Sequence, residues 1–164
     1  MLVKDYGGEI DWNIGAFCGH DEMMFDIDKA CKMACEKNGI RYVFGSISTI
    51  LQGGRIPPQK NLPVSEVLSR VDKYNELGIG VRLTFSSPFV TRGDLVDEAS
   101  NIMLRHLDHN NQNGLTNRNG VIVMSDLLAD YIRYMYPNLE LISSQVKPSV
   151  EVGLGNDSAE YYNR

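Results

Sequence analysis

The chain has 164 residues, 43% of them hydrophobic and 23% charged, enough to bury one ordinary core and too apolar for a disordered segment. A closed eightfold β/α barrel takes about 250 residues and compact ones about 200, so any barrel likeness concerns part of a barrel. The 16 Lys and Arg against 21 Asp and Glu give a net charge of −5, which offers no general attraction to phosphate backbones or anionic lipid and makes nucleic acid a poor default partner.

Residues 1–25 carry Gly7, Gly8, Gly15 and Gly19 among scattered apolar positions and yield one short candidate strand, 14–18. Beyond Asp26 the pattern sharpens. Ile27, Ala30, Cys31, Ala34 and Cys35 recur at helical spacing and Asn38-Gly39 supplies a stop, which predicts a helix over 27–37. The β-rich run 41–47 reads as a strand, followed by a loop through Gly53-Gly54-Arg55-Ile56-Pro57-Pro58 that no helix or central strand accommodates.

Pro63 marks a helix start, Val64, Val67, Leu68 and Val71 form its apolar stripe, and Gly78 ends it. Residues 79–85 form the next strand, broken by Ser86-Ser87-Pro88. Asp94 opens a helix whose inner face is expected to hold Leu95, Ala99, Ile102, Met103 and His106, ending near Asn110. After a polar loop, Val121-Ile122-Val123 is a short apolar strand expected to carry helices on both of its faces. Ser125 or Asp126 caps a helix with Leu128, Tyr131, Ile132 and Met135 on one stripe, Pro137 terminates it, and 139–143 is a further strand. Asn156-Asp157-Ser158 then caps a short segment, 159–164.

This alternation of about four β/α units predicts a single α/β domain, 1–164, built on a parallel sheet and shaped like half of an eightfold barrel. In such sheets reactive groups lie beyond the carboxyl ends of the strands. That rule nominates Ser46 and Ser48 with the Gly53-Gly54-Arg55 turn, then Thr84, Ser86 and Ser87, then Ser125 and Asp126, then Ser143, Ser144, Gln145 and Lys147. Arg55 could grip a carboxylate or phosphate in a bidentate manner, against plain turn chemistry, since the run lacks the spacing of a P-loop or dinucleotide fingerprint. Lys147 is a candidate Schiff-base amine or phosphate ligand, against an ordinary solvated lysine. Ser125-Asp126 sets a hydroxyl beside a carboxylate, against simple helix capping.

Three histidines, His20, His106 and His109, fall away from this rim, so no catalytic triad is nominated. Asp11, Cys18, His20, Asp21 and Glu22 hold metal-ligand chemistry without a specific spacing, and an acidic lead-in to a helix competes with it, so no metal is expected there. Cys31 and Cys35 form a CxxxC without the third close cysteine of an iron–sulfur site and read as buried small hydrophobes. With Cys18 they make an odd number in a chain large enough to fold without disulfides, which predicts reduced thiols and a cytoplasmic setting. No apolar leader follows Met1 and no stretch nears the roughly 20 apolar residues of a membrane span, so no membrane partner is expected.

Five ordered motifs carry a resemblance. They are Tyr42-Val43-Phe44-Gly45-Ser46 with Gly53-Gly54-Arg55; 80–88, GVRLTFSSP; 119–125, NGVIVMS; Tyr131-Ile132-Arg133 with Tyr136-Pro137; and Leu141-Ile142-Ser143-Ser144. Together they resemble a little-characterised group of bacterial β/α-barrel proteins distantly similar to U32-type peptidases, over about residues 40–164. The resemblance implies the first half of a barrel, with a cysteine motif expected in a later half, and either peptide hydrolysis or tRNA hydroxylation as chemistry, with no catalytic residue carried over. The leading expectation is thus an N-terminal barrel portion that binds a polar or anionic substrate through Arg55, Ser86, Asp126, Ser144 and Lys147, and that pairs with itself or with a missing barrel half. A non-catalytic acidic α/β interaction module is the alternative. The cofactor stays unassigned.

Overall fold

The computed structural model describes residues 11–15, 17–34, 39–52, 61–144 and 147. The Gly53-Gly54-Arg55 turn, Cys35, Gln145 and the expected segment 159–164 lie outside these residues. Five strands, β1 (Asp11–Gly15), β2 (Gly39–Gly45), β3 (Gly80–Phe85), β4 (Gly120–Val123) and β5 (Glu140–Ser143), alternate with four helices, α1 (Asp21–Ala34), α2 (Val64–Glu76), α3 (Glu98–Gln112) and α4 (Asp126–Met135). The strands pair in chain order, β1-β2-β3-β4-β5, and every pairing is parallel. The sheet is α/β and not closed.

Sequential parallel pairing with the right-handed crossovers that twisted strands impose puts all helices on one face of a sheet. Burial agrees. Val81, Leu83, Phe85 and Val121 are fully buried toward the helices, and the registers Val43↔Val81, Leu83↔Val121 and Val121↔Leu141 align them in one layer. The alternate residues Phe44, Arg82, Thr84, Ile122, Glu140 and Ile142 are half-buried or exposed. Among the described residues β4 therefore carries helices on one side only, because strands paired in chain order leave no crossover between them that could place a helix on the other.

Each helix follows from a local signal. Pro63 precedes α2 and its carbonyl accepts the amides of Glu66 and Val67, while Val67, Val71 and Tyr74 turn inward. At the other end Gly78 adopts φ +77°, a left-handed turn that glycine makes without strain, and the Ile79 amide closes back on the Tyr74 carbonyl at 2.9 Å.

α1 departs from the apolar pattern. It begins at Asp21, and its buried residues are Asp21, Met24 and Asp28, whereas Ala30 and Ala34 are exposed and Cys31 is half-buried. The cause is polar docking: the Asp28 carboxylate accepts the Ile40 amide at 2.9 Å at the start of β2 and pairs with Lys32 at 2.7 Å. β1 likewise lies earlier than the candidate strand 14–18, and Phe17 and Cys18 form the turn behind it.

In α3 the cap is Asp97, whose carboxylate accepts the Ser100 amide at 2.8 Å, and Asp94 opens a short 3-10 turn, Asp94–Val96. The buried stripe is Ser100, Met103, Leu104, Leu107, Asp108 and Asn111. Ile102 is exposed and His106 half-buried, a shift of one position that follows from the later start. On α4 the buried residues are Leu128, Ala129 and Ile132, with Met135 exposed.

Short amides close the amino end of the sheet. Asn119, fully buried, accepts the Val81 amide and an Asn75 N–H, both at 2.9 Å, and donates back to Asn75 at 2.9 Å. Asn111 bridges the Asn119 backbone and the Asn138 carbonyl. Asp108 accepts the Asn138 amide at 2.8 Å, and Asn110 joins Asp72 to Asn75. His106 bonds Asp72 at 2.6 Å within this α2–α3 seam, which is a packing role rather than a place at the strand mouth.

Candidate functional site

The register sets the level of the mouth. Phe85, Val123 and Ser143 are aligned at the ends of β3, β4 and β5, so the next residues, Ser86, Met124 and Ser144, share one level. Alternation carried one step further assigns them to the open face that holds Thr84, Ile122 and Ile142. Ser86 and Ser144 are both buried. They stand two strands apart, roughly 10 Å at ordinary sheet spacing. The Ser144 amide continues the ladder to the Val123 carbonyl at 2.8 Å, and the Lys147 amide bonds the Ser144 carbonyl at 3.0 Å.

That turn delivers Lys147 to α4. Lys147 is 8% exposed, and its ammonium donates to the Asp126 carboxylate. Asp126 is the first residue of α4, and its side chain is 86% exposed. Ser125 supplies the cap, its hydroxyl accepting the Leu128 amide at 3.4 Å, which leaves Asp126 available for Lys147. Ser125 is thus the helix cap, and Asp126 forms the ion pair with Lys147.

Of the nominated residues, Asp126 and Lys147 meet directly, Ser86 and Ser144 lie at the ends of β3 and β5, and Arg55 falls outside the described residues. Ser87 ties the β3 end to the neighbouring loop through its amide and the Leu51 carbonyl at 3.2 Å. His106 is engaged by Asp72 and His109 is exposed on α3, whereas His20, also exposed, lies in the connection that leaves the carboxyl end of β1 for α1 and so falls on the strand-end side of the sheet, contrary to expectation. The mouth holds hydroxyls, an ammonium and a solvated carboxylate. These can bind and orient a polar group.

Two polar clusters escaped the strand-end rule. On the open face, the Arg82 guanidinium lies 3.5 Å over the Tyr42 ring and donates to Glu140 at 3.2 Å. The alternation in Val81-Arg82-Leu83-Thr84-Phe85 was the available signal for it. Behind β1, the buried Asp21 carboxylate accepts the Cys18 amide and the Tyr74 hydroxyl, each at 2.9 Å, and pairs with Arg70, which also binds Glu66 at 2.6 Å. Burial, with the nearby Asp21 charge second, pushes the Cys18 thiol up to about 12, so it stays protonated and is no nucleophile. Among the described residues, no group of three or more His, Cys, Asp or Glu is placed to hold a metal ion.

No protein-family model, curated protein or solved structure matches the chain. Among the described residues no helix is long and apolar enough to cross a membrane.

Proposed function

We propose that the chain is an N-terminal portion of a U32-peptidase-like β/α barrel that binds a polar or anionic substrate group at the carboxyl ends of its strands. Lys147 and Asp126, with Ser86 and Ser144, form the contact, and Arg55, from the segment between β2 and α2, is kept as a further one. One observation carries this reading. The Lys147 side chain is only 10% exposed, yet the Asp126 side chain it pairs with is 86% exposed. An incoming anion can replace Asp126 on Lys147 at small cost, because the displaced carboxylate is already hydrated while the ammonium keeps a charge-assisted bond.

Hydrolysis or tRNA modification, and a cytoplasmic setting, enter only with the family reading and the odd cysteine count. The same reading accounts for the sheet face opposite the described helices, where Phe44 is 37% exposed; parallel sheets are ordinarily covered on both faces. A second copy or a further barrel half would meet that need.

Calorimetric titration of the purified chain with inorganic phosphate and with acetate tests the anion site. Saturable binding of either is expected, weakened about tenfold by Lys147→Met through loss of one charged hydrogen bond and tightened by Asp126→Asn, which removes the competing carboxylate. Binding of neither anion, or binding indifferent to Lys147→Met, overturns the proposal.

A further inference from the structure

On the sheet face opposite the described helices, the registers place Arg82, Gly120 and Glu140 in one row across β3, β4 and β5. Gly120 contributes no side chain, so the Arg82 guanidinium and the Glu140 carboxylate meet across it at 3.2 Å. The chain satisfies this pair only in part. A guanidinium has five N–H donors; among the described residues Arg82 spends one of them on Glu140, and its Nε is buried with no hydrogen-bond partner. Glu140 accepts through one of its two oxygens, and its side chain is 34% exposed. Arg41, the other cation beside the Tyr42 ring, is tied to Asn117 ahead of β4.

Apolar surface adjoins the pair. Phe44 is in register with Arg82 and exposed, and Ile122 and Ile142 stand half-buried in the next row toward the carboxyl ends. An ion pair lying in a surface is a dipole. A twofold axis in the plane of that surface sets a second such pair against it head to tail, so each guanidinium gains another carboxylate, while the apolar residues close on one another. The face is therefore complementary to itself in charge.

We propose that this face is the interface of a homodimer, in which Arg82 pairs with the partner's Glu140 and Phe44 is buried. The proposal rests on the open-barrel reading above and commits to a second copy as the cover of the face.

Sedimentation velocity over a micromolar concentration series tests it. The purified chain is expected to dimerise reversibly. Phe44→Asp, at an exposed position, weakens the dimer about a hundredfold, since a twofold interface meets each substitution twice. Arg82→Glu and Glu140→Arg each do the same by setting like charges against each other. Mixed in equal amounts, these two variants form a heterodimer, because each then faces the opposite charges of the other. Mixing does not mend the broken pair inside either chain, so the rescue reads the contact between copies alone. Where a charge variant does not fold, the unaltered chain and Phe44→Asp still decide. A chain that stays monomeric, a dimer indifferent to Phe44→Asp, or folded charge variants that stay apart when mixed overturns the inference. Phosphate binding separates this from the strand mouth: a monomer that still binds phosphate overturns the dimer alone, and a dimer that binds no anion overturns only the mouth.

Discussion

At the amino ends of the strands, Asn75, Asn111, Asn119 and Asp108 are bonded to one another or to backbone amides and carbonyls of the connections that enter β3, β4 and β5. At the carboxyl ends, the ion pair between Lys147 and Asp126 joins a buried group to a solvated one. The first end satisfies its polar groups internally and has nothing to exchange. On the function proposed above, the second trades a partner for a ligand. The contrast matches the division of labour in β/α folds, where one end of the sheet supports the structure and the other carries chemistry.

Asn119→Ala gives the sharpest way to break this comparison. It strips the Val81 amide and Asn75 of partners in a fully buried place and is expected to lower unfolding stability by about 3 kcal/mol in a denaturant titration. Lys147→Met, measured beside it, is expected to cost under about 1 kcal/mol, since its partner is exposed. Equal losses would erase the distinction between the ends. Ser125→Ala sharpens it at the smallest scale: losing the α4 cap, whose hydrogen bond is 3.4 Å long, costs about 0.5 kcal/mol without disturbing Asp126, so anion binding persists in calorimetry while the melting temperature falls slightly.

Much of the sheet was legible. β3, β4 and the start of α2 follow from apolar runs bounded by Pro63, Gly78 and Ser86, because those signals act within a few residues. α1 was not legible in the same way. Its docked face carries Asp21 and Asp28, carboxylates that accept backbone amides of Cys18 and Ile40, so counting apolar residues found Ala30 and Ala34 on the solvent side instead. The α3 stripe slipped because Asp94 and Asp97 are both plausible caps, and only the 3-10 turn between them tells which one opens the helix.

The candidate site divides along the same line. Strand-end position nominated Ser86, Asp126, Ser144 and Lys147 one by one, yet the contact between Lys147 and Asp126 spans 21 residues and leaves no local trace. Arg70 was missed altogether, since its partner Asp21 lies 49 residues earlier and neither residue is unusual for an exposed helix face.

The most direct test is an interstrand nuclear Overhauser map of the backbone. Parallel registers Val43↔Val81, Leu83↔Val121 and Val121↔Leu141 predict amide-to-α contacts staggered along each strand pair, with the ends of β3, β4 and β5 at one rim. Strong α-to-α contacts between any two of these strands would mean antiparallel neighbours, and Ser86, Asp126, Ser144 and Lys147 would then not share a mouth.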